Sequence, residues 1–167
     1  MNPVLVPYAS LSARQVATLR ELRVRPEQLK ACGSIDSALY TLQASPSQAV
    51  SGWALMHDHQ PRAFLLLLRA PCLPGWAAPS SALVMSLQVD HRYQGQGLGK
   101  ACVQALPQAA RGLWPEIDRL TLSVAPSNHA ALGLYQAQGW VDCGPGHRAP
   151  VGYERQLVLQ LEAARAP

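Results

Sequence analysis

Three glycines at alternate positions stand between a strand-like and a helix-like segment of this chain. Residues 82–89, "ALVMSLQV", are apolar and predict a strand. The stretch "QGQGLGK" follows, and a helical pattern runs from about residue 98 to residue 111. Alternate glycines are costly unless the backbone itself needs the freedom. A strand–loop–helix unit aims backbone N–H groups and the positive end of a helix at one place, so it predicts a phosphate-binding loop; a tight turn without a ligand is the alternative.

Two common nucleotide motifs do not fit this loop. A Walker A loop has the pattern G-x-x-x-x-G-K-[ST], but Gln94 stands in place of the first glycine and Ala101 follows Lys100. The Rossmann pattern G-x-G-x-x-G fails because the third glycine comes one residue early. The loop is therefore a weak candidate for ATP or NAD.

Helical and strand patterns alternate through the rest of the chain. Near the N terminus, "VLVPY" predicts a strand, Ser12 and Gln15 form the capping box of a helix, and a helix pair follows Pro26 with a break at Gly33. Next, "QAVSGWALMHD" and "RAFLLLLRA" predict a hairpin. After the glycine loop, Pro107 predicts a kink or early end of the helix. A strand "RLTLSVA", a capped helix "SNHAALGLYQAQG" and the strands "WVDC" and "YERQLVLQL" complete the chain.

The predicted order, β-α-α-β-β-β-α-β-α-β-β, mixes hairpins with strand–helix crossovers. It indicates an α+β (α/β) fold around a mixed sheet rather than a doubly wound sheet. The chain has 167 residues, without internal repeats or a long linker, so we expect one domain over residues 1–167.

The charge and hydropathy of the chain limit which binding partners and which cellular compartment we expect. The net charge is +4, yet only 14% of the residues are charged and no basic run occurs, so no nucleic-acid partner is predicted. A modest positive field also suits a small anionic cofactor. No apolar stretch reaches the roughly 18 residues of a membrane span, and the first residues lack signal-peptide features. We therefore expect a cytoplasmic protein without membrane contact.

Metal ligands and disulfides are not predicted. The four cysteines, at positions 32, 72, 102 and 143, form no C-x-x-C pair, and free buried thiols are the default for a cytosolic chain. The cluster His57, Asp58 and His59 lies at the turn of the predicted hairpin, where solvated polar residues are common.

Two motifs together resemble the GCN5-related N-acetyltransferase (GNAT) superfamily. Gln94, Gly97 and Gly99 fit its acyl-CoA loop, Q/R-x-x-G-x-G/A. The later stretch "SNHAALGLYQAQGW" fits the family pattern N-x-x-A-x-x-x-Y-x-x-x-G-[FW], with matches at Asn128, Ala131, Tyr135, Gly139 and Trp140. A weaker resemblance, carried by "LRELRVRPEQ" and "VDHRYQGQG", is to the bacterial polyamine and diamine acetyltransferases.

The resemblance implies a fold and a donor site. The fold is a single-domain, three-layer acetyltransferase-like one, with a mixed, mostly antiparallel central sheet and helices on both faces. The cosubstrate is acetyl-CoA, without a metal. Its pyrophosphate would be held by main-chain amides of the loop, formed by Gln94, Gly95, Gln96, Gly97, Leu98, Gly99 and Lys100. Leu87 and Val89 would contact the pantetheine through their backbone.

Asn128 and Tyr135 are seven residues apart and so share one helix face, about 10.5 Å apart along the axis. Asn128 would touch the pantetheine arm and Tyr135 would reach the sulfur as general acid. A core tyrosine with its hydroxyl at the surface is the alternative for Tyr135.

The implied reaction is direct attack of a primary amine of a small molecule on the acetyl-CoA thioester. A polyamine-like acceptor needs several acids, and the chain has only ten, with Asp36, Asp58 and Glu154 as candidates for the pocket. The segment "SALVMSLQV" lacks the glutamate that many members place on the strand before the loop.

The general base is accordingly unassigned. The candidates are Asp90, Glu116, Asp118, Glu154 and an ordered water. A non-catalytic acyl-CoA-binding or regulatory module and an acetyltransferase of protein N-termini or side chains are the alternative functions. Many relatives are dimers, so a homodimer also stays open.

Overall fold

The computed structural model describes residues 2–150 and 152–162. Seven strands form one sheet in the order β1-β2-β3-β4-β5-β7-β6. The strands are β1 (Val4–Pro7), β2 (Val50–His57), β3 (Gln60–Leu68), β4 (Ser81–Val89), β5 (Arg119–Val124), β6 (Val141–Ala149) and β7 (Gly152–Gln160). The helices are α1 (Ala13–Leu19), α2 (Leu29–Cys32), α3 (Ile35–Ala44), α4 (Leu98–Leu113) and α5 (His129–Ala137). None of these helices is long and apolar enough to cross a membrane.

Helices cover both faces of the sheet, which explains the uninterrupted apolar run in β3. Leu65 and Leu67 belong to a buried cluster that includes residues of α4 and Tyr135 of α5. Phe64 and Leu66 belong to a second cluster, with residues of α1 and α3. Because successive strand residues point to opposite faces, a strand buried on both faces has no polar position. The three-layer fold class predicted from the sequence is confirmed.

Three local predictions differ from the structure. Pro107 does not end its helix, since α4 continues to Leu113 and buries Leu106 and Ala110 around the proline. The helix pair after Pro26 consists of a short 3-10 turn, a single helical turn (α2) and the longer α3. The strand predicted as "WVDC" extends to Ala149, because β6 pairs with β7 through two register shifts despite its glycines and proline. As an edge strand, β6 tolerates a proline.

The strands β4 and β5 separate partway along their length. They form the one parallel pair in the described sheet, and this pair joins only Ser81–Leu83 to Arg119–Thr121. β5 nevertheless continues to Val124, where it pairs with β7. Beyond Leu83, the edge of β4 that faces β5 is therefore open, and its backbone N–H and C=O groups are available to a ligand.

We expect Gly52→Ala to destabilise the fold. A Cβ atom at this position in β2 would lie 2.7 Å from Leu42 Cδ2 and 3.0 Å from Phe64 Cζ, and Phe64 is fully buried. Overpacking of this kind lowers the free energy of unfolding by about 1–3 kcal/mol. Urea unfolding measures the change. Gly112→Ala, in open space on α4, is the control and should not lower stability. Equal stability of both variants would contradict the packing described for β2.

Candidate active site

The glycine loop presents unpaired backbone N–H groups at the start of α4. Gly95 and Gly97 have φ angles of +78° and +80°, which glycine adopts readily and other residues avoid. Gly97 is the N-cap of α4, and no side chain caps that end. The first N–H groups of this 16-residue helix are thus left for a ligand, and the helix dipole favours an anion there. Open space surrounds both glycines.

The side chain of Gln94 fastens the loop to the rest of the fold. Its Nε2 donates to the carbonyl oxygen of Val89 at 2.9 Å and to Gln28 Oε1 at 2.9 Å. Gln28 Nε2 lies 3.3 Å from Gln94 Oε1 and completes a reciprocal amide pair. Gln28 lies in the 3-10 turn before α2, 66 residues away in the chain. Sequence reasoning missed Gln28, because no local pattern marks a partner at this distance.

A groove of about 390 Å³ lies between the loop, the end of β4, α2 and α5. The predicted site residues that line it are Leu87, Val89, Gln94, Gly95, Gly97, Leu98, Gly99, Asn128 and Tyr135. Gln96 and Lys100 do not line it and are exposed. The structure therefore brings together most of the residues that the sequence predicted as one site.

The predicted acid, Tyr135, is buried beside the groove. Its side chain is 7% exposed and its ring meets Trp140 edge-on, with centroids 5.2 Å apart. Burial, with a smaller effect from the Cys102 thiol, raises the pKa of Tyr135 above its usual value. The phenol is therefore protonated at neutral pH and can donate a hydrogen bond or a proton.

Asn128 caps a helix in addition to lining the groove. Its Oδ1 accepts the backbone N–H of Ala131 at 3.2 Å and caps α5. With the oxygen engaged, the side-chain NH₂ group is the part of Asn128 that can donate to a ligand.

A narrow passage continues from the groove into the opening between β4 and β5. It has a volume of about 120 Å³ and shares Leu87, Asn128 and Tyr135 with the groove. Ser86 lies on its wall with a φ of +60°, at a β-bulge that shifts the register between β3 and β4. A non-glycine residue in this region is strained, and such strain is typical of functional sites.

A larger pocket of about 590 Å³ follows the passage. The two share Val84, Ser86, Ser123 and Glu154. The pocket is further bounded by α3, by the loop after β3, and by His147 of β6. Groove, passage and pocket thus adjoin one another and form a path past Tyr135, with the glycine loop at one end and the Glu154 carboxylate towards the other.

Asp90, one of the candidate bases, is a structural cap. Its carboxylate accepts hydrogen bonds from the backbone N–H and the guanidinium of Arg92, at 2.8–3.0 Å. Burial of the carboxyl acts to raise its pKa, but the hydrogen bonds and the charge of Arg92 outweigh it and hold the pKa below its usual value. A carboxylate held in this way is a poor proton acceptor.

Two further candidates lie elsewhere. Glu116 pairs with Arg69, and Asp118 is bound by Ser80 and Arg119. Neither lines the groove, the passage or the pocket, whereas Glu154 lines both the passage and the pocket. Of the pocket acids suggested by the sequence, Asp36 and Asp58 also lie outside this path.

Gln88 is a further residue of the groove that sequence reasoning missed. It is 3% exposed, and its Nε2 donates to the Ser86 carbonyl oxygen at 3.1 Å. Its Oε1 is buried and has no donor among the described residues. A buried acceptor without a donor costs free energy. In the sequence, only the position of Gln88 in the strand before the glycine loop could have indicated a place in the site.

The histidine cluster lies outside the path, whereas Cys32 and Cys72 line parts of it. Of the four cysteines, which were expected to be buried, only Cys102 is buried. Asp58 and His59 form the turn between β2 and β3, both with positive φ. Among residues 2–150 and 152–162, no three His, Cys, Asp or Glu side chains are placed to hold a metal ion. The four cysteines are free thiols.

Comparison with models of protein families assigns the chain to a family. Residues 16–140, more than half of the sequence, match the model of the acetyltransferase (GNAT) family. The chain belongs to the GNAT acetyltransferase family. This confirms the family predicted from the glycine loop and the α5 motif, and with it the enzyme class.

A curated relative supports the assignment over part of the chain. The "Uncharacterized N-acetyltransferase YbbJ" of Bacillus subtilis (strain 168) is 32% identical over 81 residues. The alignment covers 48% of this chain and 49% of that protein, so this chain spans about half the length of the curated relative.

Solved GNAT structures share the fold over nearly the whole chain. The aminoglycoside acetyltransferase AAC(6')-Ib in complex with coenzyme A superposes with a TM-score of 0.72, 20% identity and 95% coverage of both chains. The ribosomal-protein-S18-alanine N-acetyltransferase from Escherichia coli gives 0.61 and 18%, covering 99% of this chain and 97% of that one. An acetyltransferase from Thermus thermophilus gives 0.66 and 23%, covering 96% and 98%.

We expect Arg92→Met to destabilise the protein at neutral pH. The substitution removes the guanidinium from the Asp90 carboxylate, whose side chain is 4% exposed, and leaves it only the backbone N–H of residue 92. The free energy of unfolding should fall by about 1–3 kcal/mol. Because Asp90 has a lowered pKa when folded, its contribution is present above the unfolded pKa of about 3.9 and disappears as the pH falls through the folded pKa.

Urea unfolding at pH 7 and near pH 2.5 tests this expectation. The difference between Arg92→Met and wild type should shrink at the lower pH. Arg155→Met is the matched control, since it breaks a similar pair with Asp142, whose side chain is 35% exposed. The control should cost less than about 1 kcal/mol. An Arg92 effect that does not change with pH would show that Asp90 is not its cause.

Proposed function

We propose that this chain is an acetyl-CoA-dependent N-acetyltransferase, one domain over residues 1–167, that acetylates a primary amine of a small molecule. The observation that carries the proposal is the row of adjoining cavities that leads from the glycine loop, past the opening between β4 and β5, to a pocket that contains a carboxylate. Membership of the GNAT family supports the donor and the reaction class.

The donor side fits the chemistry of CoA. The unpaired N–H groups around Gly95 and Gly97, together with the start of α4, suit the pyrophosphate. The open edge of β4 at Leu87 and Val89 suits the two amides of the pantetheine arm, and Asn128 supplies a further donor. These groups would orient the thioester in the passage beside Tyr135.

The acceptor amine must lose a proton before it can attack. We assign this step to Glu154, because it is the one acid among the described residues that lines the passage. Its carboxylate takes a proton from the ammonium group and leaves a neutral amine. Glu154 later releases this proton to water.

Tyr135 completes the transfer. As the nitrogen–carbon bond forms and the carbon–sulfur bond breaks, the tyrosine hydroxyl gives its proton to the departing sulfur. The tyrosinate recovers a proton from the acylated nitrogen, which must lose one to become a neutral amide. The products are an N-acetyl amide and CoA with a free thiol.

The relatives acetylate different acceptors. By their names, one acts on aminoglycosides and another on the alanine of ribosomal protein S18. A small-molecule amine, the N-terminal residue of a protein and no acceptor at all are therefore the outcomes that a turnover assay must separate. Thiol release from acetyl-CoA, followed across a panel of amines and peptides, makes this separation. Saturable CoA binding without turnover on any of them would favour a non-catalytic acyl-CoA-binding module.

We expect Tyr135→Phe to reduce kcat by about 10²-fold or more with little change in CoA affinity, since it removes the proton donor but keeps the ring. Steady-state kinetics and CoA titration by calorimetry measure the two effects. Tyr40→Phe is the matched control, because Tyr40 is an exposed tyrosine on α3 outside the path. Wild-type turnover in Tyr135→Phe would remove the assigned acid.

We expect Gly97→Ala to weaken CoA binding by at least about tenfold. An alanine at a φ of +80° costs about 1–2 kcal/mol of strain, and relief of that strain turns the loop N–H groups away from their common target. Gly133→Ala, on the exposed side of α5 with open space around it, is the control. Undiminished CoA affinity in Gly97→Ala would place the pyrophosphate elsewhere.

A further inference from the structure

We propose that the acceptor is a primary amine with a single positive charge attached to an apolar body, and that it binds in the 590 Å³ pocket beyond the passage with its ammonium group at Glu154. This inference rests on the proposed function and defines its substrate class. It differs from the polyamine-like acceptor suggested by sequence resemblance.

The walls of the pocket are predominantly apolar. They are formed by Leu68, Cys72, Leu73, Pro74, Trp76, Leu83, Val84 and Met85, with Ala31 and the polar residues Thr41, Ser86, Ser123, His147 and Glu154. Met85 is 42% exposed although it is a large apolar side chain within a central strand. A ligand with an apolar body would remove these walls from water, and burial of such surface is the main source of affinity in small-molecule sites.

The single carboxylate of the pocket is held in place by a short chain of hydrogen bonds. The backbone N–H of His147 donates to Ser123 Oγ at 2.8 Å, and Ser123 Oγ lies 2.9 Å from Glu154 Oε1. Because a carboxylate only accepts, the Ser123 hydroxyl donates to Glu154. Gly146 permits this approach, since a Cβ atom there would lie 2.6 Å from Ser123 Oγ. Glu154 is thus held in position through Oε1, and its other carboxylate oxygen can accept a hydrogen bond from the ligand.

A second positive charge would find no partner in this pocket. Glu154 is the one acid among the described lining residues, and the chain as a whole carries a net charge of +4. An ammonium group buried without a counter-ion is strongly unfavourable. The pocket therefore favours a monoamine over polyamines and aminoglycosides, which carry several ammonium groups.

A matched pair of amines tests the inference. Hexylamine and hexane-1,6-diamine have the same carbon chain and differ in the second ammonium group. We expect kcat/KM for hexylamine to exceed that for the diamine by at least about tenfold, because tenfold corresponds to only about 1.4 kcal/mol. 2-Phenylethylamine should be accepted in the same way, and spermidine and kanamycin should be poor substrates.

A charge introduced into the pocket wall provides the second measurement. Met85→Glu places a further carboxylate in the pocket and should shift the hexylamine-to-diamine ratio by at least about tenfold towards the diamine. Val141→Glu, at an exposed position of β6 outside the pocket, adds the same charge and should leave the ratio unchanged. Circular dichroism and CoA affinity show that both variants fold.

Each result has a defined meaning. A preference of the wild type for the diamine, spermidine or kanamycin would overturn the inference and leave the proposed acetyltransferase function intact. The same holds if peptide N-termini are the one acceptor class acetylated, or if Met85→Glu and Val141→Glu shift the ratio equally. Absence of turnover on every amine and peptide, with CoA bound, would instead overturn the proposed function together with the inference.

Discussion

The separation of β4 and β5 is the feature on which the candidate site depends. A parallel pair that continued beyond Leu83 would satisfy its own backbone groups and close the sheet at this point. Instead, β5 remains paired with β7 as far as Val124, and β4 bends at the bulge near Ser86. The opening leaves main-chain donors and acceptors unpaired at the edge of β4. It also joins spaces that the sheet would otherwise divide.

The two ends of the opening have different chemistry because different elements surround them. On the donor side, the N terminus of α4 and the glycine loop concentrate N–H groups, as an anion requires. The Asp90–Arg92 ion pair and the Gln94–Gln28 amide pair keep the segment around this loop in place. On the side of the 590 Å³ pocket, apolar residues of β3, β4 and the loop after β3 surround Glu154, the one acid among the described lining residues. A path with unpaired N–H groups at one end and a carboxylate at the other is suited to transfer between a CoA thioester and an amine.

Much of the fold was predictable because its signals are local. The predicted hairpin appears as the antiparallel pair β2 and β3, and the Ser12–Gln15 capping box appears as predicted. The helix predicted from about residue 98 to residue 111 appears as α4, and Pro107 does not end it, since the helix buries Leu106 and Ala110 around the proline. β6 was predicted too short, because its glycines and proline break the strand pattern and only pairing with β7 maintains the strand.

The sequence by itself determined the family and the glycine loop, because both rest on glycines, caps and spacings within short stretches of chain. Tertiary structure decided which of the candidate acids lines the passage beside Tyr135. Ser123 and Glu154 are 31 residues apart, and His147 lies on a third strand. They meet only because the strand order places β7 between β5 and β6. No sequence periodicity encodes this contact, because it depends on long-range strand pairing. For the same reason, the sequence could not decide which of several carboxylates is the general base.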